Sequence, residues 1–167
     1  VPTLTPPSPL SQALQLIPST GLELALPFVV RWARRREADI IRHGAALTQR
    51  QLEDARDVGV THPERIRVMM VSAVPFPMNP VLRVAAHAFG LRPGSTLGMS
   101  LGYGIYVRRD YQESRRVFRH ECMHTAQHER LGGIDRFIKA YFRECYQFGY
   151  ACAPLEREAV TAEQYVW

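Results

Sequence analysis

His120-Glu121-Cys122-Met123-His124 is the most informative stretch of this 167-residue chain. On a helix, positions i and i+4 lie on one face, one turn apart. Two imidazoles at that spacing can reach one tetrahedral zinc at about 2.0–2.1 Å each. Glu121 is turned about 100° from His120. From there its carboxylate can handle the proton of a water molecule beside such an ion. At this chain's own His and Glu frequencies the pattern is expected by chance roughly 0.01 times. Val117, His124, Gln127 and Leu131 share the His120 side of the helix, while Phe118 and Cys122 lie opposite. Apolar residues on both sides predict a buried helix. Buried imidazoles need partners, and a shared metal supplies one. Cys122, about 200° from His120, is no ligand of the same site.

The flanking residues predict the elements that surround this helix. Asp110-Tyr111-Gln112-Glu113 reads as its capping start and Gly132-Gly133 as its stop, giving a helix from about Tyr111 to Leu131. Leu97 to Arg108 reads as one strand, and Ile66 to Val74 as another, buried one. Helices are expected from about Ser19 to Gly44, from Thr48 to Val58, from Val81 to Phe89 and from Ile134 to Gly149. A last helix is expected from Pro154 to about Tyr165. Pro27 is placed in or near the first turns of the opening helix. The expected fold is α+β, helix-rich, with a short β-sheet packed on the motif helix. One zincin-like metal-binding domain spans 19–167, and a proline-rich extended arm spans 1–18.

Two histidines need a third protein ligand to complete a zinc site. His128 continues the row, but eight residues of helix rise about 12 Å, so it cannot close the same site. It is expected near the site or at the surface. The longer motif HExxHxxGxxH fails, because Gln127 and Arg130 stand where glycine and histidine are required. His43, His62 and His87 have no partner at ligand spacing.

The chain here resembles the gluzincin group of zinc metallopeptidases, in which a glutamate from a later helix, often within ExxA, answers HExxH. Glu156-Arg157-Glu158-Ala159 stands 32 residues after His124. The chain is also similar to compact bacterial HExxH proteins that carry HExxHxxQ, a Gly-Gly turn and a Pro-Leu-Glu-x-Glu-Ala ending. In this chain these are His120 to Gln127, Gly132-Gly133 and Pro154 to Ala159. The resemblance implies Zn²⁺ held by His120, His124 and Glu156, with Glu158 as the alternative third ligand. The two glutamates lie about 200° apart on a helix, so both cannot face one ion. It implies Glu121 as general base and a peptide or protein substrate paired along the strand that precedes the motif. Gly102, Tyr103 and Gly104 would admit that substrate, or would mark a bulge. Tyr146 and Tyr150 are candidate oxyanion stabilisers, or core or rim aromatics. The activity implied is that of a zinc metallopeptidase. The alternative is a non-catalytic zinc domain with a structural or partner-binding role.

Composition sets the outer bounds. Hydrophobic residues make up 46% and charged residues 22%, which excludes a disordered chain and is typical of a globular domain. The net charge is +5, and Lys139 is the only lysine. Acids follow Arg34-Arg35-Arg36 at once, so a solvated helix face is expected and no nucleic-acid partner. A basic amphipathic reading of residues 20–42 also allows peripheral membrane contact. The three cysteines include no CxxC pair. Reduced structural thiols are expected, which favours a cytoplasmic setting, with a Cys145–Cys152 disulfide as the alternative. No apolar run is long enough to span a bilayer. Val1 in place of methionine is compatible with removal of an upstream signal or anchor segment.

Overall fold

The computed structural model describes residues 19–78, 83, 86, 87 and 92–164. In chain order these form α1 (Ser19–His43), β1 (Ala45–Ala46), α2 (Gln49–Asp57), β2 (Arg67–Val71), β3 (Gly98–Leu101) and β4 (Gly104–Arg108). They continue as α3 (Arg115–Leu131), α4 (Ile134–Phe148) and α5 (Pro154–Ala162). The fold is α+β, as expected. The 1–18 arm lies outside the described residues, and the helix expected at 81–89 lies largely outside them.

The four strands run in the order β1-β2-β4-β3. β2 is parallel to β4, while β3 and β1 are antiparallel to their neighbours. Side chains on a strand alternate between faces, and β4 uses both. Ile105 and Val107 join Phe118, Cys122 and Ala126 of α3 in one core. Tyr106, between them, joins Ala33 and Ile40 of α1 and Phe137 and Ile138 of α4 in the other. The central strand is therefore covered by α3 on one face and by α1 on the other.

Three local expectations are corrected. The segment read as one strand over 97–108 is a hairpin, with Leu101 opposite Gly104 and Gly102-Tyr103 as the two-residue turn. Gly102 has φ +64° and Tyr103 a negative φ, which is the II′ pattern that suits strand twist. The motif helix opens at Ser114, whose hydroxyl accepts from the Val117 N–H, and not at Asp110. Asp110 is held in a fork by Arg108, at 2.7 and 2.8 Å, so it cannot cap the helix. Pro27 lies well inside α1, past its first two turns. Its neighbours Leu26, Val29 and Val30 pack against the core, tertiary contacts that offset the hydrogen bond a proline removes.

The capping box at Thr48 and Gln51 forms as expected. Gly132, with φ +82°, ends α3 in the left-handed conformation. α5 ends at Ala162, short of the expected Tyr165, which lies outside the described residues. Cys122, Cys145 and Cys152 are all free thiols.

Candidate metal centre

α3 carries three working faces. Phe118, Cys122 and Ala126 enter the core against β4. Thr125, fully buried, donates to the Gly102 carbonyl at 3.0 Å and meets the Ser100 hydroxyl at 3.1 Å, which locks α3 to the hairpin. The remaining face presents His120, His124 and Gln127 to α4 and α5.

Glu156 sits in the first turn of α5, and that turn is held from both ends. The Leu155 N–H donates to Glu144 at 2.8 Å, and Gln127 donates to the Leu155 carbonyl at 2.9 Å. Pro154 opens the helix where its missing N–H costs nothing. Ala159, fully buried, lies one turn on and lets α5 come close to α3. The Glu156 carboxylate is thereby placed 3.1 Å from His124 Nε2 and 3.7 Å from His120 Nε2. The two Nε2 atoms are 3.2 Å apart. An ion bound tetrahedrally at about 2.0–2.1 Å separates its ligand atoms by about 3.3 Å. The three side chains thus meet at the spacing a zinc ion requires.

Each imidazole is oriented from behind. His124 Nδ1 lies 2.9 Å from Gln127 Oε1, and His120 Nδ1 lies 2.8 Å from Glu163 Oε1. Arg116 holds the other Glu163 oxygen. A partner on Nδ1 leaves Nε2 to face the ligand, the usual support of metal-binding histidines. Glu158 faces away. Its carboxylate is taken by Arg130, at 2.8 and 2.7 Å, and by Gln127 at 2.9 Å, where it steadies the residue that orients His124. Of the two candidates for third ligand, only Glu156 meets the histidines.

Glu121 lies beside this cluster, 6% exposed, and leans over β3. An edge strand turns the backbone groups of alternate residues outward, and the Ser100 N–H bonds to the Glu121 carboxylate. Gly98 makes room for it. Burial pushes the Glu121 pKa up, against the pull of the two histidines. For His124, burial acts downward, but the hydrogen bond and charge of Glu156 reverse it and the net shift is up. For Glu156, burial acts upward and His124 reverses it, so its pKa is lowered.

The cluster opens into a cleft of about 570 Å³. Trp32 and Ala33 of α1, residues 95–101 at the sheet edge, and Phe137 and Ile138 of α4 wall it. Gly102, Tyr103 and Gly104 do not line it. They form the hairpin turn and pack on α1, where a Cβ on Gly102 would stand 2.0 Å from Glu37 Oε1 and one on Gly104 2.9 Å from Ile40 Cδ1. The part of the segment that faces the cleft is β3.

Tyr150 lines the cleft and hydrogen-bonds to Glu156. Tyr146 lies on the far side of α4, in a separate groove against α1. His128 stands away from the cluster with its ring edge-on to Tyr103, 5.2 Å between centroids. Burial lowers its pKa.

Sequence reasoning missed Tyr141, whose hydroxyl donates to Glu156 Oε1. The helical spacing of Ile134, Phe137, Ile138, Tyr141 and Phe142 marks it only as a core residue. Glu163 follows Glu156 and Glu158 with no local pattern that singles it out. Gln127 had a signal, because it shares the His120 face.

No protein-family model, curated protein or solved structure matches this chain. The resemblance to gluzincins rests on the motif residues of the sequence alone.

Proposed function

We propose that this chain is a zinc-dependent hydrolase of gluzincin type that cleaves peptide bonds. The observation that carries the reading is the convergence of His120 Nε2, His124 Nε2 and the Glu156 carboxylate at ligand spacing, 3.1 to 3.7 Å apart. Beside them stands Glu121, a buried carboxylate outside the ligand group. A purely structural zinc site has no use for that acid.

His120, His124 and Glu156 would hold the ion, and Glu163 and Gln127 fix the two rings with Nε2 toward it. A zinc ion in such a site supplies Lewis acidity, which polarises a carbonyl and acidifies water. Glu121 accepts a proton from the attacking water at its carboxylate and delivers it to the leaving amide nitrogen. The Ser100 N–H steadies that carboxylate between the two transfers. An extended peptide would lie along β3 and add to the sheet at its outer edge, next to the Ser100 N–H that holds Glu121. Trp32, Phe137 and Ile138 exclude water from the cleft wall. Tyr150, at the cleft wall and hydrogen-bonded to Glu156, would have to leave that bond to donate to a developing oxyanion.

The test is Glu121→Gln, which keeps the shape of the side chain but cannot accept the proton. Wild type and mutant are loaded with zinc, their metal content is measured, and both are given a diverse peptide library read by mass spectrometry. The mutant should hold zinc and lose about 10²–10⁴ in rate. Undiminished cleavage by the zinc-loaded mutant would refute Glu121 as the base. No cleavage by zinc-loaded wild type would favour the non-catalytic zinc domain.

A further inference from the structure

We infer that the outer face of α1, together with the neighbouring face of α4, is a docking surface for an anionic lipid bilayer, independent of the metal centre. The face is a stripe. With Leu24 at zero degrees on α1, Phe28, Arg31, Arg35 and Arg42 all fall within about 40°. Leu24 is 74% exposed and Phe28 63%. Arg31, Arg35 and Arg42 are exposed as well. Ala33 and Val29 lie on the other side of the same helix and Trp32 on its flank, where they wall the cleft. The helix therefore spends one face on the fold and leaves the other apolar at its start and cationic toward its end.

α4 extends the charge. Between the two helices runs a groove of about 980 Å³ with an apolar floor that includes Leu26, Val30 and Phe142. Its rim carries Arg31, Arg34, Arg35, Lys139 and Arg143 against the carboxylates Glu23 and Asp135. Arg34 is paired with Asp135 at 2.7 Å. Among the described residues, Arg31, Arg35, Lys139 and Arg143 meet no carboxylate within ion-pair distance. Five cations against two carboxylates leave the rim with a net charge of +3 beside two protruding apolar side chains, a surface whose complement is anionic outside and apolar beneath.

Charge decides among the occupants. Residues 1–18 contain no acidic side chain and cannot neutralise the patch. A second copy brings a net charge of +5 and the same cationic face. An acidic peptide would fill the groove, but Leu24 and Phe28 stand outside the groove lining. A bilayer covers both at once: headgroup phosphates meet the arginines and Lys139, and the acyl boundary takes Leu24 and Phe28. No helix among the described residues is long and apolar enough to cross a membrane, so the contact is with the surface.

The test is sedimentation of the full chain with vesicles of phosphatidylcholine alone and of phosphatidylcholine mixed with phosphatidylglycerol. The chain should bind the mixed vesicles, ignore the neutral ones and dissociate as salt is raised. Arg31→Gln and Arg35→Gln should each weaken binding about fivefold, and Phe28→Ser about tenfold. All three positions are exposed and lie away from the cluster, so far-UV circular dichroism and the urea unfolding midpoint serve as the control for folding. Equal binding to both vesicle types, no binding to either, or full binding by the arginine variants would overturn the proposal. Binding to polyglutamate but not to vesicles would overturn it in favour of an acidic protein partner.

Discussion

A Cβ added to Gly98 would stand 2.6 Å from Glu121 Oε1 and 2.8 Å from its Cγ. The absent side chain of an edge-strand residue is thus the space in which the proposed general base rests. Glycine inside a strand often marks a close approach, and here what approaches is a side chain of the motif helix.

Gly98→Ala should therefore displace Glu121 without touching a ligand. The overpacking should cost about 1–3 kcal/mol of stability. Zinc should stay at one per chain while peptide cleavage falls. Urea unfolding, elemental analysis and the cleavage assay together check this. Unchanged cleavage would show that Glu121 works from another position.

The residues behind the histidines should tune the metal. Glu163→Gln and Gln127→Ala should each weaken zinc binding about 10–100-fold, measured by competition with a chromogenic chelator. Glu156→Gln should lose stoichiometric zinc, whereas Glu158→Gln should retain it. The reverse ranking of the two glutamates would contradict the register of α5.

Asp54 predicts an acid dependence. It is 1% exposed, in α2, and accepts hydrogen bonds from Arg115 and Arg119 of α3. Burial pushes its pKa up, but the hydrogen bonds of Arg115 and then Arg119 outweigh burial, and the net shift is below 3.8. A lowered folded pKa gives stability that is complete above the unfolded value and lost as pH falls from about 4 through the folded value. Urea titrations from neutral pH down to about pH 3 should show that loss in wild type and a flatter profile in Asp54→Asn. Asp54→Ala at neutral pH should cost about 3–5 kcal/mol, because Arg119 is left buried without its main counterion.

Gly102→Ala separates the hairpin from the cleft. The position has φ +64° and a Cβ there would collide with Glu37. Stability should fall by on the order of 2 kcal/mol. Zinc content and KM for any cleaved peptide should stay as in wild type. A selective rise in KM in a fully folded variant would return Gly102 to the substrate site.

The sequence located α3 and α4 closely, because both rest on helical periodicity and on glycine stops at Gly132 and Gly149. The start of α3 was misplaced by the side chain of Arg108. Asp110 has the chemistry of a cap, and only a tertiary view shows that its carboxylate is already engaged. The hairpin was hidden because Met99, Leu101, Ile105 and Val107 keep odd-numbered alternation straight across the turn, though they face opposite sides of the sheet. A strand pattern cannot register a reversal of direction that preserves its period.

What the sequence by itself determined is the pair His120 and His124. Their relation is set by covalent spacing and the pitch of one helix, and both are local. It also placed Glu121 next to them, and the resemblance carried by the ExxA register offered Glu156, with Glu158 as the alternative, as the proposed third ligand. Only the tertiary structure brings Glu156 rather than Glu158 to the histidines, through the rotation of α5 fixed by Gln127 and Glu144. It alone brought Tyr141 and Glu163 to the site, and Gly98 under Glu121. Those meetings join elements far apart in the chain. Their geometry depends on how two cores pack against the two faces of one strand, and no run of neighbouring residues encodes it.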